Sequence, residues 1–134
     1  MKRHSSSAIP APKFHYTPCV QAGAHYSVSG MVGLDPTTGQ LVAGGTAAQT
    51  QRIFDNLLLA LPDYGLRLQD MVLARIYTTD FAAFPQINAI WEATLAQVPP
   101  PARTSVGVQG LPLGAAVEIE FSFYQTPSSE EQET

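Results

Sequence analysis

The sequence predicts an α+β fold, a mixed six-stranded sheet with two helices on one face. Three observations carry that expectation. Arg103–Val108 and Val117–Tyr124 alternate with the period of strands. Apolar residues recur at helical spacing from Thr46 to Leu61 and again from about Pro85 to Gln97. Between the two helices lies Met71–Thr79, whose β-branched and aromatic end reads as a strand. A length of 134 residues suits one domain.

Taken in order, residues 1–13 are polar and Ser/Pro-containing and read as a disordered arm, residues 14–124 as the domain, and residues 125–134 as an acidic disordered tail. Tyr16–Gln21 and His25–Ser29 form a hairpin around Ala22-Gly23-Ala24. Gly30–Gly39 is a loop marked by Asp35-Pro36 and Thr38-Gly39, and Gln40–Ala43 is a short edge strand. Thr46 is placed as the N-cap of the first helix, with Gln49 completing a capping box. Ile53, Phe54, Leu57, Leu58 and Leu61 supply its stripe, and Pro62 ends it. Pro85 sits in the first turn of the second helix, with Asn88 off the stripe of Ile87, Ile90, Trp91 and Leu95. Pro99, Pro100 and Pro101 then exclude helix up to Ala102, and Gly110, Pro112 and Gly114 separate the last two strands.

Charge narrows the functions. Between Lys13 and the tail the only cations are Arg52, Arg67, Arg75 and Arg103, against eight acidic residues. Such a body offers no basic stripe for nucleic acid. With no lysine after Lys13, no folded-domain amine is expected to form an imine with a cofactor or substrate. No apolar run approaches the ~20 residues of a membrane helix, and the first residues lack the apolar core of a signal peptide. One cysteine excludes an internal disulfide and fits a cytoplasmic location. His4, His15 and His25 show no metal-ligand spacing, so no metal is expected.

If both C-terminal strands turn their apolar faces to the core, Arg103, Glu118 and Glu120 share the opposite face. A guanidinium and carboxylates on stiff strands suit a small anionic ligand. The same pattern also describes a solvated surface ion pair.

The stretch PPPARTSVGVQGLPLGAAVEIEF, residues 99–121, resembles the C-terminal signature of the Rid (YjgF) family: Ala-Arg, a short strand, Leu-Pro and a closing Val-Glu-Ile-Glu. Val28-Ser29-Gly30, Asp35-Pro36 with Gly39, and Ile87-Asn88-Ala89 extend the resemblance over about residues 14–124. It implies a chorismate-mutase-like fold, a homotrimer whose sheets form a central barrel, and a ligand cleft at each subunit interface. It also implies cofactor-free hydrolysis of reactive enamines and imines of the 2-aminoacrylate type to 2-oxo acids and ammonia.

By the same resemblance Arg103 binds the substrate carboxylate and Glu118 holds the attacking water, while Glu120 is structural. Ser29 and Gly30 match the ligand-contacting loop, and Asn88 matches an asparagine that orients the arginine. Two substrate-pocket positions depart from the archetype. Cys19 stands where a tyrosine is usual, and Ser105 where cysteine is common. Read by itself, Cys19 is a half-buried structural cysteine. The missing tyrosine favours, as an alternative, a deaminase acting on a larger enamine such as an aminomuconate. A further alternative is a non-catalytic protein that binds a carboxylate metabolite. Ribonuclease activity conflicts with the acidic body, and chorismate-mutase chemistry with its few scattered cations.

Overall fold

A computed structural model describes residues 1–125 of the chain. Its elements are β1 (Lys2–His4), β2 (Cys19–Ala22), β3 (His25–Met31), α1 (Gly45–Tyr64), β4 (Met71–Thr78), α2 (Phe84–Thr94), β5 (Ala102–Gly107) and β6 (Val117–Tyr124). Among the described residues the six strands make one sheet in the order β1-β2-β3-β6-β4-β5. Only β4 and β5 run parallel. Both helices cover one face. Phe54 of α1 meets Phe121 of β6 edge-on at 5.9 Å and Trp91 of α2 at 6.1 Å. Full burial of side chains such as Phe54, Phe121 and Phe123 stabilises the fold by about 1.5–3 kcal/mol each.

The sixth strand is not the expected one. Gln40–Ala43 makes only an isolated bridge, Leu34 to Leu41, whereas Lys2–His4 pairs with β2. Residues 1–13 are therefore not the disordered arm that their composition predicts. β1 is held by partners distant in sequence: His4 shares a hydrogen bond with Gln21 at 2.9 Å, and its ring stacks on Tyr26. The acidic tail lies outside the described residues from 126 onward. Gln125 is placed, its side-chain amide donating to the Gly65 carbonyl at 2.8 Å.

The start of α1 also differs. Gly44 occupies the N-cap in a left-handed conformation (φ 110°) with no side-chain cap. Thr46 and Gln49 are inside the helix and tie it to other segments. Thr46 Oγ1 donates to Asp80 at 3.2 Å, and Gln49 Oε1 accepts the Ala116 N–H at 2.8 Å. Pro62 does not end the helix. Its fixed φ is helical, so one hydrogen bond is lost but the last turn continues to Tyr64. Gly65, at φ 72°, closes it while the Leu66 N–H returns to the Leu61 carbonyl at 3.0 Å.

Register decides where the candidate residues point. β4 lies between β5 and β6, with Ala74 opposite both Arg103 and Phe121, and Tyr77 opposite both Val106 and Glu118. Residues opposite one another share a face. Arg103 and Ser105 therefore lie on the helix-covered side, and Glu118 and Glu120 on the open side. This corrects the expectation of one shared face. β5 is an edge strand exposed along nearly its whole length, so its alternation carries no information about which side is the core. No described helix is long and apolar enough to cross a membrane.

Candidate functional site

One group of residues forms around a β-bulge. Val28 pairs with Phe121 and Met31 with Ile119, so Ser29 and Gly30 together oppose Glu120. The extra residue brings the Gly30 backbone against Glu118. A Cβ at position 30 would lie 2.8 Å from Glu118 Oε2 and 2.9 Å from its Cδ, which is why glycine stands there. The Ser29 hydroxyl donates to the Thr17 carbonyl at 2.6 Å, and its N–H donates to the Pro18 carbonyl at 2.9 Å. These bonds pin the segment entering β2 against the bulge.

Burial, and then the neighbouring Glu120 charge, raises the pKa of the Glu118 carboxyl above the usual glutamate value. Glu120 itself is engaged on the open face. It accepts the Tyr77 hydroxyl at 2.6 Å and lies 3.7 Å from Arg75.

Glu118, Ser29 and Gly30 line a cavity of about 310 Å³ whose other walls are mainly apolar. Ile9, Tyr16 and Leu113 are among those walls. Tyr16 titrates above its ordinary value through burial and then the Glu118 charge. Leu113 is the one non-glycine residue with positive φ (61°) among those described, held between Pro112 and Gly114. Lys13, assigned by its sequence position to the arm, also lines this cavity. Ile9, Lys13, Tyr16 and Leu113 escape sequence reasoning because a non-repeating segment gives no period to read.

The second group lies on the other side of the sheet. Arg103 Nη1 donates to Asn88 Oδ1 at 2.8 Å, and Asn88 Nδ2 donates to Glu92 at 3.3 Å. The guanidinium carbon stands 5.4 Å from the Phe84 ring centre and 5.1 Å from that of Trp91. Two residues along the same face, Ser105 Oγ is buried without a hydrogen-bond partner. Arg103, Asn88 and Ser105 are thus together, and Ser29, Gly30 and Glu118 are together. Within one chain the two groups are not.

Cys19 joins neither. It is fully buried in the core, burial pushes its thiol up to about 11, and it does not line the cavity. The expectation of a substrate contact there finds no support within this chain, where the side chain is closed off in the core. Among the described residues no cluster of three or more His, Cys, Asp or Glu could hold a metal ion.

A bulged serine-glycine pressed on a half-buried glutamate is set in a six-stranded sheet with two helices on one face, the α+β arrangement that the sequence resemblance implies. Comparison with known proteins agrees. Residues 6–124 match the family described as Endoribonuclease L-PSP, and the chain belongs to that family, which includes YjgF and RidA. It is 37% identical over 121 residues to a RutC family protein of Aquifex aeolicus, covering 90% of this chain and 96% of the other. It is 34% identical over 116 residues to a 2-iminobutanoate/2-iminopropanoate deaminase of Dermatophagoides farinae, covering 87% and 90%. The crystal structure of RidA from the Antarctic bacterium Psychrobacter sp. PAMC 21119 superposes with a TM-score of 0.88 at 33% identity, covering 93% of this chain and all of that one.

Proposed function

We propose that this chain is a RidA-like enamine/imine deaminase that hydrolyses small 2-imino acids to 2-oxo acids and ammonia. The observation that carries the reading is the pressing of Gly30 on a half-buried Glu118 at the wall of a cavity. Relatives matched over most of the chain are named as deaminases of 2-iminobutanoate and 2-iminopropanoate.

The chemistry asks little of the protein, since an imine carbon is already electrophilic. Arg103 receives the substrate carboxylate through paired N–H donors. Glu118, ionised, accepts a proton from water as the oxygen bonds to the imine carbon. It then returns that proton to the nitrogen of the carbinolamine. The C–N bond breaks as the hydroxyl proton passes through the Glu118 carboxylate to the departing nitrogen, leaving the 2-oxo acid and ammonia. Holding the reactants together supplies most of the advantage.

Arg103 and Glu118 point from opposite faces of one sheet, so one chain does not present both to a small ligand. The reading therefore includes a homotrimer in which the arginine of one subunit faces the cavity of the next. The open face, with Val72, Val106 and Tyr124 exposed, is the surface such an assembly buries. The unpaired Cys19 fits a cytoplasmic setting.

A second reading is favoured by the cavity itself. A mainly apolar space of about 310 Å³ is larger than a three- or four-carbon imino acid requires, so a longer side chain is accommodated as well. In the decisive assay an amino-acid oxidase or dehydratase generates imines of graded size while 2-oxo acid release is followed. The chain should accelerate release, and Arg103→Ala should lower kcat/KM by about 100-fold, the scale of a lost charge-assisted pair. No acceleration with any imine, alongside binding of 2-oxo acids, would instead identify a non-catalytic carboxylate-binding protein.

A further inference from the structure

An arginine on an edge strand ordinarily samples many rotamers, and freezing them opposes ligand binding. Arg103 is exposed and lies on such a strand, yet it makes three contacts with a single helix. Phe84, Asn88 and Trp91 follow one another at spacings of four and three, which puts them on one face of α2. Asn88 takes one N–H of the guanidinium, and the two rings stand at 5.4 and 5.1 Å from its carbon, within cation–π range. The rings are themselves anchored. Phe84 stacks on Phe81 with centres 5.1 Å apart, and Trp91, almost fully buried, packs edge-on against Phe54. An asparagine alone would fix one edge of the fork and leave its plane free to swing. Two aromatic faces fix the plane.

We infer that Phe84 and Trp91 form an aromatic clamp that holds the Arg103 guanidinium in its carboxylate-receiving orientation, making both positioning residues of the site. This rests on the reading of Arg103 as the carboxylate anchor. The clamp spends the rotamer entropy of the arginine at folding, so the carboxylate meets a fork already set. Because the anchor acts on substrate and transition state alike, the clamp governs KM and leaves kcat nearly untouched.

The test compares steady-state constants on one imine for the full-length protein and its Phe84→Leu, Phe84→Tyr and Arg103→Ala variants, with melting temperatures as the folding control. Phe84→Leu should raise KM about 3- to 30-fold with kcat held within about 2-fold, the range of one cation–π contact, and Phe84→Tyr should restore KM. Trp91 is the only tryptophan, so its fluorescence gives an independent readout. Titration with 2-oxobutanoate should shift its emission saturably, at higher concentration in Phe84→Leu, and not at all in Arg103→Ala. An unchanged KM in Phe84→Leu, or a fall in kcat alone, overturns the clamp while a raised KM in Arg103→Ala leaves the anchor standing. Tryptophan emission indifferent to inhibitory 2-oxobutanoate overturns it too. An Arg103→Ala variant with ordinary KM removes the anchor itself.

Discussion

The Glu118 side and the Arg103 side of the sheet are built on opposite plans. Glu118 is half-buried on a central strand, crowded by a bulge and a cavity wall, with its pKa displaced by desolvation and a like charge. Arg103 is exposed on an edge strand and oriented by a helix. The difference fits the tasks proposed for the two residues. A proton carrier needs a tuned pKa, which only burial and neighbouring charge supply. A carboxylate anchor needs its charge permanently, so what must be controlled is direction.

This contrast breaks most sharply at Glu118 itself. Glu118→Gln should lower kcat by about 100- to 10,000-fold, the range of general acid–base catalysis, with little change in KM for a carboxylate held elsewhere. Comparable loss in KM would merge the two roles. Gly30→Ala comes next: the new methyl meets the flexible end of Glu118 rather than backbone, so the carboxylate swings away. Activity should fall about 10-fold or more, the scale of a misplaced reacting group, with a melting temperature near that of the parent. Cys19→Ala probes the core beneath, and should cost about 1–2 kcal/mol in denaturant unfolding while leaving kcat/KM at the parental value. A specific loss of activity would return Cys19 to the pocket.

The smallest effect is a displacement rather than a loss. Glu118 must be ionised to accept a proton, so kcat/KM falls as pH drops through its raised value. Removing the Glu120 charge in Glu120→Gln lowers that value and should slide the acid limb to lower pH. A limb that stays in place assigns it to some other group. Stability carries the opposite sign from an ordinary paired carboxylate. The folded state holds its Glu118 proton more tightly than the unfolded chain, so this contribution is lost as pH rises from the ordinary glutamate value through the raised one.

Most of the architecture was legible because it is local. Alternation in Val117–Tyr124 and the stripe of Ile53, Phe54, Leu57 and Leu61 are written into adjacent residues. Lys2–His4 was not legible, since its strand exists only through pairing with β2. Thr46 and Gln49 imitate a capping box but bond across the fold. The face of Arg103 could not be read from β5, whose residues are exposed on both sides. A signal for its surroundings was nevertheless present in the spacing of Phe84, Asn88 and Trp91. The grouping of Ser29, Gly30 and Glu118 came from family resemblance, because no periodicity announces a bulge.

The first strand also ties the chain's beginning to the cavity beside Glu118. Lys2–His4 shields the outer edge of β2, and the residues that follow supply a wall of the cavity. Clipping this segment would bare a row of backbone groups ready to recruit another strand and let solvent into the space beside Glu118. Purification handles belong at the other terminus. A protease that trims the first dozen residues would open the cavity before it touched Glu118 or Arg103.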